Sequence, residues 1–230
     1  ELTDAYLKQS QESGFGPFPA GQHYDYQVDA TLLAAFISSD YLITTDTTFT
    51  AGARYEYLEY DYDNKMLAGD TAADGSPCSS GQCRYSRPAD SVDDFENWSF
   101  NASLKHQLSD HSHTSLRLAH GFRAPQATEM YRLQNGQIKA ELDPEEVNSI
   151  ELGFRSSFEQ LSYSLTAFYM KKTNVIFQSS QRLNLSDGQT EHQGIEYDLS
   201  WQLSDHWDIG LAGSYAQHRY TNNVSTPGIN

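Results

Sequence analysis

Apolar and polar side chains alternate at period two along most of this chain. Tyr24, Tyr26, Val28, Ala30, Leu32, Ala34 and Phe36 alternate with Asp25, Gln27, Asp29 and Thr31, a pattern that suits a strand and opposes a helix. A second strand sets Phe49, Ala51, Ala53, Tyr55 and Tyr57 against Thr50, Gly52, Arg54 and Glu56. A third sets Trp98, Phe100, Ala102, Leu104 and His106 against Ser99, Asn101, Ser103 and Lys105, and a fourth sets Thr114, Leu116, Leu118 and His120 against Ser115, Arg117, Ala119 and Gly121. The same rhythm returns at Ile150, Leu152 and Phe154, at Leu161 to Tyr169, at Ile195 to Leu203 and at Ile209 to Tyr215. Roughly eight strands follow from this pattern. Residues 1–22, with Gly14-Phe15-Gly16-Pro17-Phe18-Pro19, read as a loop.

The connections alternate in length. Short turns are expected near 38–46, 109–112, 157–160 and 204–207, and long loops near 61–95, 122–146 and 177–191. Strands running up and down in order then put every short turn at one end and every long loop at the other. Bacterial outer-membrane barrels have that asymmetry, with short periplasmic turns and long external loops. Soluble sandwiches alternate too, but rarely sort their loops this way.

Side-chain chemistry supports the same fold. The face opposite the apolar one carries Asp29, Arg54, Lys105, Arg117, Glu151, Arg155 and Asp198, too many charges for a dry core, where each unpaired one costs several kcal/mol as an order of magnitude. A wet lumen removes that cost. Tyr55, Tyr57, Trp98, Trp201, Trp207 and Tyr215, near the ends of apolar runs, suit an interfacial girdle, whereas His106 and His120 sit awkwardly on the apolar face. The fold class expected is therefore all-β, an antiparallel up-and-down transmembrane β-barrel segment of about eight strands within a larger barrel.

Composition narrows the function. Mean hydropathy is -0.64, and no apolar run is long enough for a membrane-spanning helix. A net charge of -16 repels phosphates, which excludes nucleic acid as a partner. Cys78 and Cys83, in Cys-Ser-Ser-Gly-Gln-Cys, fit a small disulfide-closed loop in an oxidising compartment better than two free thiols. The chain starts at Glu1 and stops at Asn230 in a polar stretch, so both ends read as cut from a longer protein.

Several segments resemble the barrel of TonB-dependent outer-membrane receptors. Gly121-Phe122-Arg123-Ala124-Pro125 followed by Glu129-Met130-Tyr131 is one, and Leu142-Asp143-Pro144-Glu145-Glu146 running into Ser149-Ile150-Glu151-Leu152-Gly153 is another. Ala167-Phe168-Tyr169 to Asn174-Val175-Ile176 and Gln193-Gly194-Ile195-Glu196 extend the match over roughly 112–216. The resemblance implies a bacterial outer-membrane receptor that binds a scarce nutrient, expected to be a ferric siderophore or similar iron chelate, and imports it. It also implies contact with outer-membrane lipid and coupling to the TonB complex through a plug domain not recognised in residues 1–230, which would then be a partial barrel domain. A small passive or structural outer-membrane barrel, closed within this chain, and a soluble extracellular β-sandwich binding module are the alternatives.

The resemblance marks Gly121, Phe122, Arg123, Ala124, Pro125, Tyr131, Pro144, Glu145, Glu151, Gly153, Gly194 and Glu196 as motif positions with structural roles. Arg123 is expected to order its loop through Glu129 or Glu145 rather than to hold a ligand. The acidic residues Asp61, Asp63, Asp70, Asp74, Asp90, Asp93, Asp94 and Glu96 match no calcium-loop spacing and read as a solvated face. His111-Ser112-His113 lacks a third metal ligand, and the tyrosines at 24, 26, 55, 57, 60 and 62 are explained by girdle and loop packing. No Ser/His/Asp set lies in a Gly-x-Ser-x-Gly frame and no glycine-rich phosphate loop precedes a helix, so no catalysis, cofactor or resident metal is expected.

Overall fold

A computed structural model describes residues 1–16, 20–72, 74, 76 and 83–221. Nine long strands form one antiparallel sheet: β1 (Leu2–Gln11), β2 (Gly21–Thr44), β3 (Thr47–Asn64), β5 (Ser91–Ser109), β6 (Ser112–Arg123), β8 (Glu145–Phe158), β9 (Leu161–Gln178), β10 (Asn184–Ser204) and β11 (Trp207–Tyr220). Each pairs with the next long strand in the chain, the up-and-down order expected of a barrel wall. Between them lie the short strands β4 (Tyr85–Ser86) and β7 (Leu133–Gln134), which pair with each other, and the helix α1 (Ala127–Tyr131). Among the described residues β1 and β11 are the two free edges, so the wall does not close on itself as a small complete barrel would.

The wall has nine long strands among the described residues, one more than the alternation marks. Residues 2–11 form β1 rather than loop, pairing with β2 from Leu2↔Thr31 to Gln11↔Gly21. Both faces of β1 mix apolar and polar residues (Leu2, Asp4, Tyr6, Lys8 against Ala5, Leu7, Gln9), so its strand character comes from the backbone ladder with β2 and not from a pattern of its own.

Strands also run further than their apolar alternation. The turn expected over 38–46 shrinks to Thr45-Asp46, and the excursion expected over 177–191 shrinks to residues 179–183. The sorting of connections survives: one end has two-residue turns at 45–46, 110–111, 159–160 and 205–206, the other has connections at 12–20, 65–90, 124–144 and 179–183. A barrel strand needs about 9–11 residues to cross a bilayer, so β2, with 24, continues well past it. The extra length rises at the long-loop end.

Register identifies the outer face. Ile37, Ala53 and Phe100 align across β2, β3 and β5, and Leu116, Leu152, Ala167, Ile195 and Tyr215 align from β6 to β11. Exposed Leu33, Ile37, Tyr41, Trp98, Leu118, Leu152, Leu165 and Leu211 make this one apolar surface suited to lipid. Arg54, Lys105, Arg117, Glu151, Arg155, Glu196 and Asp198 lie on the other face, towards the lumen, as expected. His120 is accommodated on the outer face by a 3.0 Å contact with its cross-strand neighbour Asn148.

On β2 the two sides are exchanged relative to expectation. Tyr24, Tyr26 and Val28 point inward, and Leu33, Ala35 and Ile37 line up with the lipid-facing Tyr57, Tyr55 and Ala53. The physical reason is that β2 is apolar on both sides. Its lower outer face meets lipid, while its upper inner face is covered by folded loops, with Tyr26 1% and Val28 2% exposed. Asp29 consequently stands outside, in one row with Asp4 of β1 and Asp61 of β3.

Candidate functional site

The long connections gather at one end of the wall. The described residues of the 65–90 connection, together with residues 124–144, fold inward as a cap over the lumen. The cap's core is Met130, Tyr131, Leu133, Ala140 and Leu142, packed against Tyr26, Val28 and Tyr62 of the wall. Tyr62 and Tyr131 stack with ring centroids 4.2 Å apart and planes 14° from parallel. The Tyr131 hydroxyl donates to Asp93 Oδ2 at 2.8 Å, and the Tyr60 hydroxyl donates to the Pro125 carbonyl at 3.2 Å. Burial and the Asp93 carboxylate hold the Tyr131 phenol in its neutral, donating form.

Arg123 fastens this cap. Its Nε donates to Glu145 Oε2 at 2.9 Å, and its two terminal nitrogens donate to the oxygens of Glu129 at 3.0 and 3.2 Å. Both carboxylates are used further: Glu129 Oε2 accepts the Gln126 amide at the start of α1, and Glu145 Oε1 accepts the Ile176 amide of β9. Burial works to raise the Glu145 pKa, but the Arg123 hydrogen bond, the Ile176 amide and the charges of Arg123 and Lys172 outweigh it and leave the carboxyl below its usual range. Arg123 and its two carboxylates thus join the end of β6, the start of α1, the start of β8 and β9.

The far side of the cap is stitched to β9 and β10. Asn184 donates its side-chain amide to the Glu129 carbonyl and exchanges two hydrogen bonds with Gln137, while Asn174 donates to the Pro144 carbonyl at 3.2 Å. Of the remaining motif positions, Ala124, Pro125 and Pro144 belong to the 124–144 segment and the others to the wall. Gly121 pairs with Val147 and Phe122 with Glu146; Pro125 is fully buried after Ala124; Glu151 faces Arg117 at 3.9 Å; Gly153 lies beside Ser115. A Cβ on Gly194 would stand 2.4 Å from the Tyr215 carbonyl oxygen, so only glycine fits the close approach of β10 to β11. Glu196, opposite Thr166 and Ser214, faces the lumen.

Between the start of β2 and the 65–90 connection lies a cleft of about 350 Å³, lined by His23, Thr71, Arg84, Tyr85 and Arg87 among others. Arg87 is buried and donates to the carbonyls of Leu67 (2.8 Å) and His23 (3.3 Å) and to the carbonyl and hydroxyl of Thr71. All four acceptors are uncharged; the charge of Asp70 acts on the guanidinium, and Asp74 also lines the cleft. Arg84 carries its guanidinium 5.3 Å from the centroid of the Tyr85 ring, a cation–π arrangement. Burial, then Arg84, then Arg87 push the His23 pKa down, which keeps its ring neutral. This gives a concave patch in which two arginines and aromatic rings stand beside one carboxylate, Asp74, on a strongly acidic chain. Sequence reasoning missed it, although Arg84-Tyr85-Ser86-Arg87 is a basic and aromatic run inside an acid-rich connection.

Of the acidic residues of that connection and of the start of β5, Asp70 accepts from Ser86, Asp90 from the Asn64 amide and Asp93 from Tyr131, so they brace the cap. His111, at the opposite end of the barrel, packs edge-on against Phe158. Tyr24, Tyr26, Tyr60 and Tyr62 contribute to cap packing, whereas Tyr55 packs against Trp98 on the outer face with the ring planes tilted by 50°. Cys83 is buried, and Cys78 lies outside the described residues.

Comparison with known proteins agrees with this architecture. Residues 3–230 match the family model described as TonB dependent receptor-like, beta-barrel. The chain is 25% identical over 220 residues to a ferric aerobactin receptor of Klebsiella pneumoniae and 22% identical over 211 residues to one of Escherichia coli, in each case across 84% of this chain and 28% of the relative. It therefore spans less than a third of those relatives. The ferric yersiniabactin uptake receptor of Yersinia pestis superposes with a TM-score of 0.65 at 17% identity, over 88% of this chain and 29% of that one. A ferric-catecholate import receptor of Escherichia coli gives 0.65 at 15%, over 96% and 33%. A wall of sorted, lipid-faced strands, folded over at its long-loop end and matched along nearly its whole length, belongs to the TonB-dependent receptor family and forms part of a β-barrel of the bacterial outer membrane.

Proposed function

We propose that this chain is the barrel portion of a receptor that takes an iron chelate from outside the cell and imports it through a TonB-coupled plug encoded elsewhere in a longer chain. The observation that carries the reading is the cleft of His23, Arg84, Tyr85 and Arg87 at the external end of the barrel wall. Carboxylate- or phenolate-bearing chelates are anionic, and buried or stacked guanidinium groups beside aromatic rings complement them. The named binding of the ferric aerobactin receptors among its relatives supports iron as the cargo. Cys78 and Cys83 close the neighbouring segment as a disulfide in this proposal.

The test is uptake of radioiron presented as ferric aerobactin by cells whose own siderophore receptors are deleted and which express the full-length receptor. Uptake that requires TonB and falls at least about tenfold in Arg84→Ala supports the reading, tenfold being ~1.4 kcal/mol of lost binding. TonB-independent uptake, or none with a panel of anionic ferric chelates while the receptor is correctly inserted, overturns it.

A further inference from the structure

Far from the cleft, on the lumen side of the last two strands, His192 of β10 and His218 of β11 are cross-strand partners. Their Nδ1 atoms are 2.5 Å apart, with ring centroids at 4.8 Å and planes at 58°. Two nitrogens that close share a single proton, so one ring presents a lone pair to the other. The second nitrogen of His192, Nε2, lies 2.9 Å from the Thr190 hydroxyl. Written with that Nε2–H donating to Thr190, the tautomer of His192 leaves its Nδ1 bare. The proton between the rings then belongs to His218 Nδ1, and a tautomer shift that loses this proton to solvent while His218 Nε2 takes one up frees the second lone pair and leaves the ring neutral.

We infer that His192 and His218 form a two-imidazole binding site for a late first-row transition-metal ion such as copper, nickel or zinc, held by both Nδ1 atoms. Imidazole nitrogen is a preferred ligand for these ions, and a coordinating histidine commonly donates its other ring N–H to an oxygen, as His192 is placed to do to Thr190. Metal–nitrogen bonds of ~2.0–2.1 Å at a near-tetrahedral angle put the two nitrogens about 3.3 Å apart. Opening the present contact by less than about 1 Å, through ring rotation alone, reaches that distance. His218 is exposed and His192 half-exposed, so solvent or another donor reaches the remaining coordination positions. The next residue along the row is Met170 of β9, opposite His192, which adds a thioether to the neighbourhood and favours copper. Lys172, opposite Thr190, discourages a second proton on the pair without supplying a competing ligand.

The site is tested on the full-length receptor in detergent micelles with Cu(II) alone as the probe. Expected are one tightly bound ion per receptor and an electron paramagnetic resonance spectrum with hyperfine coupling to two imidazole nitrogens. His218→Gln is expected to weaken binding at least about tenfold and to leave one nitrogen, and Thr190→Val, which keeps both ligands, to weaken it about tenfold through loss of ring orientation. Heat-modifiable migration in electrophoresis shows that each variant is a folded barrel. A receptor that binds no Cu(II), or a folded His192→Gln/His218→Gln double variant that binds it with unchanged affinity and spectrum, overturns the assignment.

Discussion

Arg123 Nε and Glu145 Oε2 stand 2.9 Å apart, the last rung of the β6–β8 ladder and the point where the wall gives way to the cap. Because Glu145 also accepts the Ile176 amide, one carboxylate couples the loop, its return strand and the strand after it. Glu145→Ala removes both acceptors and leaves a guanidinium and an amide to find water. Hydrogen exchange at the Ile176 amide should accelerate at least about tenfold, ~1.4 kcal/mol of local opening, within the usual cost of losing a charged hydrogen-bond partner. Unchanged exchange would mean that the ladder alone protects that amide.

The same contact sets a pH dependence. Glu145 has a pKa lower in the folded receptor than in the unfolded chain, so its contribution is fully present above the unfolded value of about 4.3 and is lost as pH falls through the folded value. Between pH 7 and 5 the cap should hold. Its resistance to limited proteolysis should fall only below about pH 4.3, and in Glu145→Gln that acid-dependent loss should be reduced.

Tyr131 separates stacking from hydrogen bonding. Tyr131→Phe keeps the stack on Tyr62 and loses the bond to Asp93, a cost of ~1 kcal/mol. Tyr131→Ala empties the cap core and should cost about 3–5 kcal/mol, the usual range for truncating a buried aromatic ring. Protease cleavage within 124–144 should rise slightly in the first and sharply in the second, while the heat-modifiability of the barrel stays the same in both.

The inversion of β2 is open to direct test. Ile37→Arg places a charge on the lipid face and should destabilise the barrel by about 2–4 kcal/mol near the membrane midplane. Phe36→Glu places one on the lumen face, opposite Arg54, and should be far milder. Folding yield into lipid vesicles reads the difference, and the reverse ranking would restore the outward placement of Tyr24 to Phe36.

The proposed Cys78–Cys83 bridge closes a short loop, so its contribution should be about 2 kcal/mol. Alkylation of the unfolded, unreduced receptor followed by mass analysis should find neither thiol labelled. Labelling of both would exclude the bridge.

The sequence by itself determined that this is a wall of antiparallel strands with its connections sorted by length. Alternation at period two is a local property, and where one face meets lipid and the other a wet lumen it shows plainly, as from Phe49 to Tyr57 and from Leu161 to Tyr169. The sequence also offered Arg123 two carboxylate partners, Glu129 and Glu145, and both stand within ion-pair distance of it. Tertiary structure alone decided the rest. β1 is a strand because β2 offers it a ladder, and Tyr26 points inward because a cap folds over it. His192 meets His218, and Arg87 meets Thr71 and the His23 carbonyl, through register and loop closure between distant residues. Such contacts depend on which residues the fold brings opposite one another, and the spacing of side chains along one segment carries no record of that.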